Sequence, residues 1–205
     1  MKYIIIPEQK TIHQLPFYFA VEEYVARKYT NDDYFMAWRV EPTVMLGRNQ
    51  LIENEVNIDY CKRNNIHIFR RKSGGGCIYA DKGCMQFSYI SFAENVNSAF
   101  IEYMKSIAEM IKSLGINTEL SGRNDILVDG KKVAGSAFYR LKGRSVLHNS
   151  LLFSTQLEHL SQALTPGKEK LQRSCLCATA CYKCWNLHHA EYRSIYGLRT
   201  TVYVW

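Results

Sequence analysis

The sequence predicts an α/β chain of the α+β kind: a mixed, largely antiparallel sheet with helices packed on it. Three observations lead there. Short β-prone segments outnumber helical ones. Most links between successive strands are too short for the crossover a parallel pair needs. The length of 205 residues suits one domain with a full-sized core. The short links argue against a doubly wound Rossmann sheet.

In order along the chain, Lys2–Ile6 reads as a strand. Leu15–Tyr29 reads as a helix with Phe17, Ala20, Val21, Tyr24 and Val25 on one face. Tyr34–Val40 and Thr43–Leu46 are strands around Glu41-Pro42. Phe35 and Trp38 read as core residues. Asp59 is placed to cap a short helix ending at Arg63. Ile66–Arg70 is a strand that feeds a run of glycines, and Ile78–Tyr79 and Met85–Phe92 are further strands. Asn97–Leu114 is a helix stopped by Gly115. Asp125–Val128 and Lys132–Phe138 form a hairpin across the turn pair Asp129-Gly130. Ser145–Phe153 is a strand, and Leu157–Leu164 a helix.

Hydrophobic residues make up 47% of the chain and charged residues 22%, the balance of a globular protein. The apolar run Tyr3–Ile6 is broken by Pro7, too short for a signal-peptide core or a membrane span. A cytoplasmic location with reduced thiols is therefore expected. The net charge is +7. Cations cluster at Arg70–Lys72, Lys131–Lys132 and Arg140–Arg144, which suits an anionic ligand or an acidic protein partner. No nucleic-acid motif accompanies them, so neither nucleic acid nor membrane is expected as a partner.

The most informative run is Arg-Arg-Lys-Ser-Gly-Gly-Gly-Cys-Ile-Tyr at residues 70–79. Consecutive glycines let bare backbone N–H groups crowd one anion, and the flanking cations add charge-assisted hydrogen bonds. The run reads as a loop for phosphate or carboxylate, or as a mobile turn beside a solvated basic patch.

Further segments fall into one ordered set. They are Trp38-Arg39 with Pro42-Thr43-Val44, Gly47-Arg48-Asn49-Gln50, Glu55-Val56-Asn57, Arg70–Tyr79 with Asp81, Gly122–Ile126, Lys132–Ala137, and His148 with Ser150-Leu151-Leu152. In this order the set closely resembles the lipoate–protein ligase A family, over residues 1–172. The resemblance implies the catalytic fold shared by biotin and lipoate protein ligases. It also implies ATP-dependent activation of lipoate to lipoyl-AMP, then transfer to a lysine of a lipoyl domain. ATP, Mg2+ and lipoate follow as ligands. Lipoyl domains of 2-oxoacid dehydrogenase complexes and the glycine cleavage H protein follow as partners, together with a possible separate accessory protein.

By the same resemblance Arg71 and the stretch Gly76, Cys77, Ile78 and Tyr79 would contact ATP, and Lys132 would touch both ATP and lipoate as the catalytic cation. Gly75 and His148 are assigned to the lipoate side, with Arg70, Ser73, Gly74, Asn124 and Asp125 as further candidates and Asp125 as a Mg2+ ligand. From the residues alone the alternatives stay open. A turn lysine is commonly only solvated, Asx residues before a strand commonly cap a turn, and His148 reads equally as a satisfied core histidine. Gly135 marks either close backbone approach or a strand bend. Lys131 serves as a control, expected to face solvent on the other side of the strand from Lys132.

Two positions depart from the family pattern: Ala80 stands where a histidine is usual, and Cys84 where an asparagine is usual. Both remove polar groups near the expected pocket. Residues 173–205 depart further. They carry Cys175, Cys177, Cys181 and Cys184, then Trp185 and His188-His189. The preferred reading is a tail outside the native frame, lost near Gln172, with no C-terminal accessory domain. The alternative is a zinc site, although the cysteine spacing lacks the usual loop between ligand pairs. Three other functions are weighed. An ATP-independent lipoyl or octanoyl transferase of this fold would need a cysteine nucleophile, and Ser121–Val128 contains none. A biotin ligase would carry a different arginine–glycine loop. An inactive lipoate-binding paralogue is the non-enzymatic reading.

Overall fold

The computed structural model describes residues 1–6, 12–92, 95–122 and 124–165, and the backbone of 201–203. Its elements are β1 (Lys2–Ile5), α1 (Leu15–Lys28), β2 (Tyr34–Trp38), β3 (Thr43–Leu46), α2 (Ile52–Glu55), α3 (Ile58–Arg63), β4 (His67–Arg70), β5 (Ile78–Ala80), β6 (Cys84–Ser91), α4 (Val96–Ser113), β7 (Glu119–Ser121), β8 (Asp125–Val128), β9 (Lys131–Leu141), β10 (Arg144–Leu152), α5 (Leu157–Ala163) and β11 (Thr201–Tyr203). The strands form two sheets. The larger has the order β11-β1-β2-β6-β10-β9-β8-β7, and the smaller β4-β3-β5.

The expected mixed, largely antiparallel arrangement is what the structure contains. In the large sheet only β11–β1 and β1–β2 are parallel. In the small sheet β3–β4 is parallel and β3–β5 antiparallel. The links β1–α1–β2 and β3–α2–α3–β4 carry helices, which supply the crossover length that parallel neighbours require. Division into two sheets was not legible in the strand list, because only pairing separates Thr43–Leu46 from its sequence neighbour Tyr34–Trp38.

Each face of the large sheet buries a different helix. Helix α4 lays Met104, Ile107, Ala108 and Ile111 on Phe87, Leu147, Ile126 and Val133. Its N-terminus is capped by Asn95, whose side chain accepts from the Asn97 and Ser98 amides. Helix α1 covers the opposite face with Leu15, Tyr18, Val21 and Val25 against Met36, Trp38, Ile90 and Val146. A third cluster lies under the small sheet: Val44, Leu46 and Tyr79 pack on Cys61 of α3 and Ala163 of α5. Full burial of one such large side chain stabilises by about 1.5–3 kcal/mol.

Local differences from the sequence reading have physical causes. The buried stripe of α1 is Leu15, Tyr18, Val21, Glu22, Val25 and Ala26, rotated from the expected face. Phe17 and Tyr24 are 38% and 45% exposed, while Glu22 is fully buried through hydrogen bonds that periodicity does not register. The cap of α3 is Asn57, accepting from the Tyr60 amide, and Asp59 sits in the first turn. The Asp129-Gly130 turn forms as expected, with φ of 51° and 71°. Trp38 and Phe35 are buried, on opposite faces of β2. The backbone of Thr201–Tyr203 pairs in parallel with Tyr3–Ile5. The tail cysteines, Trp185 and His188-His189 lie outside the described residues, and so does the zinc alternative.

One buried charge ties the large sheet to the end of α1. Arg144, 2% exposed, donates to the carbonyls of Tyr29, Asp32 and Ile90 and stacks 3.8 Å over the Phe92 ring. Arg144→Ala would strand those carbonyls, so urea unfolding should show a loss of about 3 kcal/mol or more. Arg144→Lys should recover only part of it, since an ammonium lacks the planar fork.

Candidate functional site

The glycine loop joins β4 to β5 and is built around Arg71, which is 7% exposed. Its guanidinium makes four hydrogen bonds. Nε donates to Ser73 Oγ at 3.1 Å and Nη1 to the Met45 carbonyl at 2.9 Å. Nη2 donates to the carbonyls of Gly74 at 2.9 Å and Gly76 at 2.7 Å. Burial presses its pKa down from the usual arginine value, yet an arginine stays charged under any physiological condition. In a trans peptide the carbonyl and the following N–H point opposite ways. With the Gly74 and Gly76 carbonyls turned onto Arg71, the Gly75 and Cys77 amides point away from the guanidinium.

A second close approach holds the loop from outside. Gly47, just past β3, packs so tightly that an added Cβ would lie 1.8 Å from the Gly75 carbonyl oxygen. Gly75 itself has φ of +92°. The Arg48 amide donates to the Ser73 carbonyl, and Arg70 Nη1 donates to the Gly47 and Gln50 carbonyls. Arg70 and Arg71 therefore use their side chains on loop backbone.

Beyond the loop the chain alternates. Cys77 and Tyr79 turn into the cluster over α3 and α5, while Ile78 and Ala80 join the α1 side. Tyr79 is 2% exposed, and burial followed by the nearby Asp81 carboxylate pushes its phenol far up. The Tyr79 side chain is thus core, leaving its backbone as the part able to meet a ligand. Asp81 latches the next turn, accepting from the Gly83 and Gln156 amides. Cys84 is buried with its Sγ 2.9 Å from Thr155 Oγ1.

His148, on β10, joins the loop to α1. Its Nε2 lies 3.0 Å from Ser73 Oγ and its Nδ1 3.2 Å from Glu22 Oε1. Its side chain is 11% exposed, and that of Glu22 is 0% exposed. Glu22 Oε1 also accepts from Ser88 Oγ at 2.5 Å, and Ser88 Oγ from Trp38 Nε1 at 2.8 Å. Sequence reasoning missed Glu22 and Ser88. Glu22 sits between apolar positions of α1, and a charged residue inside an apolar stripe is the signal that would have found it.

Lys132 forms a second group on the same face of the sheet. Its Nζ is 2.7 Å from Asp125 Oδ1 on β8. Gly135 makes room for it, since an added Cβ there would sit 3.2 Å from Lys132 Nζ. Residues three apart normally face opposite sides of a strand. Here a register shift against Ile126/Leu127 lets both Val133 and Ala134 face α4, so Lys132 and Gly135 share the α1 face. Lys131 is partly buried rather than fully solvent-facing. Asn124 Nδ2 donates to the Ser136 carbonyl, which fixes the start of β8.

Among the described residues no group of three or more His, Cys, Asp or Glu side chains is placed to hold a metal. Asp125 supplies one carboxylate. That donor set fits Mg2+, which is bound through one or two carboxylates with substrate phosphates and water completing its shell.

The family of the Lipoyl protein ligase A/B catalytic domain matches residues 14–189. The chain belongs to that family. The match continues beyond Gln172 into the cysteine-bearing tail. The chain is 35% identical over 155 residues to the lipoate-protein ligase LplJ of Bacillus subtilis, covering 75% of this chain and 47% of that protein. It therefore spans about half the length of the curated relatives it matches. Among solved structures it is similar to a bi-partite lipoate protein ligase from Thermoplasma acidophilum, described with its E2 lipoyl domain. The TM-score is 0.74 at 25% identity, covering 95% of this chain and 78% of that one. It is also similar to a lipoate-protein ligase A bound with ATP, with a TM-score of 0.70 at 26% identity over 84% and 74% of the two chains. The shared architecture is that of the lipoate ligase fold anticipated from the sequence blocks.

Because the loop hangs on Arg71 and on the Gly47 contact, two variants should loosen it without unfolding the domain. Gly47→Ala forces the Gly75 carbonyl to move, and Arg71→Lys replaces four fixed donor contacts with one mobile ammonium. Hydrogen exchange should become about tenfold faster or more at the Arg48 amide, whose acceptor is the loop carbonyl of Ser73, while α4 amides keep their protection.

Proposed function

We propose that this chain carries the adenylation site of an ATP-dependent, AMP-forming lipoate–protein ligase. The observation that carries the reading is a glycine loop ordered by Arg71 and tied to β10 through His148, with Lys132 on the same face of the large sheet. The names of its relatives supply the substrate class. In the first step a lipoate carboxylate oxygen attacks the α-phosphorus of ATP. The bond from that phosphorus to the bridging oxygen breaks, and pyrophosphate leaves. In the second step the amine of an acceptor lysine attacks the mixed-anhydride carbonyl, and AMP departs.

Each step sets a task for residues of this chain. Carboxylate and triphosphate repel one another, so the site must neutralise both. The Gly75 amide donates to a phosphate oxygen without moving, because Arg71 already orients its peptide through the Gly74 carbonyl. Lys132 leaves Asp125 to bridge the carboxylate and the α-phosphate, where negative charge develops. Asp125, released, would hold Mg2+, and the ion would supply charge neutralisation at the leaving group. The partly buried side chains of Ile78 and Phe69 would help keep water from the anhydride. Arg71 acts here as the loop's scaffold and His148 as a link to α1.

The acceptors of this reading are lipoyl domains of 2-oxoacid dehydrogenase complexes and the glycine cleavage H protein. A separate accessory protein belongs to the same reading, in line with the bi-partite description of the Thermoplasma acidophilum relative. A cytoplasmic location accords with these partners.

The deciding measurement is lipoate-dependent exchange of pyrophosphate into ATP. Lys132→Ala should slow exchange about a hundredfold or more, as loss of a transition-state donor does. Lys131→Ala should stay within about threefold. Exchange that never depends on lipoate, or equal losses at the two lysines, overturns the assignment. Acyl movement from a carrier without ATP would establish the transferase instead.

A further inference from the structure

We propose that Glu22 is the positioning residue of the glycine loop, acting at a distance through His148 and Ser73. The inference rests on the loop being the nucleotide site. The chain of contacts runs from Trp38 Nε1 to Ser88 Oγ, from Ser88 Oγ to Glu22 Oε1, from Glu22 Oε1 to His148 Nδ1, from His148 Nε2 to Ser73 Oγ, and from Ser73 Oγ to Arg71 Nε.

The two ends, together with the Glu22 carboxylate as acceptor, set the direction of the hydrogen bonds around a neutral His148. Trp38 Nε1 and Arg71 Nε can only donate. Ser88 takes the indole proton on its oxygen and passes its own hydroxyl proton to Glu22. Ser73 takes the Arg71 proton on its oxygen and has its own hydroxyl proton to give. A neutral His148 receives it at Nε2 only if its ring proton is on Nδ1, and that proton then needs an acceptor. Glu22 Oε1 is that acceptor. A buried carboxylate is therefore what selects the His148 tautomer, and the tautomer is what holds Ser73.

Packing makes the relay stiff. Phe19 and Tyr139 lie 5.7 and 5.5 Å from the His148 ring, centroid to centroid, so the imidazole has little room to turn. Glu22 Oε2 faces the Tyr139 hydroxyl at 3.5 Å. Ser73 stands between two loop constraints: its side chain meets Arg71 and His148, and its carbonyl receives the Arg48 amide. Without its partner on β10, Ser73 is free to rotate, and Arg71 loses the neighbour that aligns Nε. The other arms of the same guanidinium hold the Gly74 and Gly76 carbonyls. The neighbouring residue Glu23 pairs with Lys72, so successive residues of α1 reach successive residues of the loop.

The relay requires an acceptor at position 22 rather than a charge, which separates it from a purely electrostatic role. Glu22→Gln keeps an oxygen toward Ser88 and His148 and turns its amide to the Tyr139 hydroxyl. It should retain ATP affinity within about threefold. Glu22→Leu removes the acceptor, and Ser73→Ala cuts the last link. Each should weaken ATP binding roughly tenfold, the scale of one buried hydrogen bond to a charged group. The double variant should be no worse than either single one, because both break the same chain.

The test uses the full chain. ATP binding is followed by titration, and the His148 ring by nitrogen-15 spectra at mildly alkaline pH. The relay predicts a proton on Nδ1 in the wild type and in Glu22→Gln, and loss of that single tautomer in Glu22→Leu. A wild-type ring protonated on Nε2 overturns it. So does a Glu22→Gln variant as impaired as Glu22→Leu, or losses that multiply in the double variant. Should Glu22→Leu fail to fold, Ser73→Ala and the wild-type spectrum still decide the outcome. If the wild type binds no ATP at all, the nucleotide reading fails, while the ring spectra continue to judge the relay.

Discussion

The buried guanidinium of Arg71 is the interaction on which the rest of the site depends. Three consecutive glycines have no side chains to pack and give up much backbone freedom when ordered. Something must supply the missing contacts. Arg71 does so by drawing the Gly74 and Gly76 carbonyls and the Ser73 hydroxyl onto one planar cation, anchored to β3 through the Met45 carbonyl. The same act faces the intervening amides the other way. The loop is thereby held in one conformation, and its orientation follows from peptide geometry rather than from a ligand.

That arrangement needs two sheets. The small sheet holds the root of Arg71 through β4 and receives the outgoing chain at β5, over a core of its own. The large sheet contributes His148 from β10 and Lys132 from β9. Helix α1 fills the space between part of the two, and its Glu22 is the buried polar point where they meet. A carboxylate out of reach of water is costly unless hydrogen-bonded. Ser88 and His148 meet that requirement, which explains how a glutamate occupies the middle of an apolar stripe.

Much of the fold was legible. The Asp129-Gly130 hairpin, α4 with its apolar spacing, and the glycine run all announce themselves within a few residues of chain, where local stereochemistry decides. Lys132 was legible only through the ordered blocks around it, since nothing local distinguishes it from Lys131. The register shift at Val133 that sets Lys132 beside Gly135 depends on how β9 meets β8, and no property of the segment alone displays it. Short elements such as α2 and β7 escaped notice for the same reason: each is stabilised by what it packs or pairs with, not by its own propensity.

The sequence by itself determined the longer strands and helices, the antiparallel character, the glycine loop as a candidate site and the family to which the chain belongs. These rest on turn stereochemistry, on periodicity and on ordered residue blocks, all of which are properties of the chain in one dimension. Only the tertiary structure decided that Arg71 turns inward to build the loop, that Tyr79 is core, that Lys132 rests on Asp125, and that Glu22 reaches the loop through His148. The physical reason is that a buried polar side chain takes its role from the donors and acceptors within about three ångströms of it. Those come from α1, β3, β8 and β10, segments that meet only once the sheets have formed.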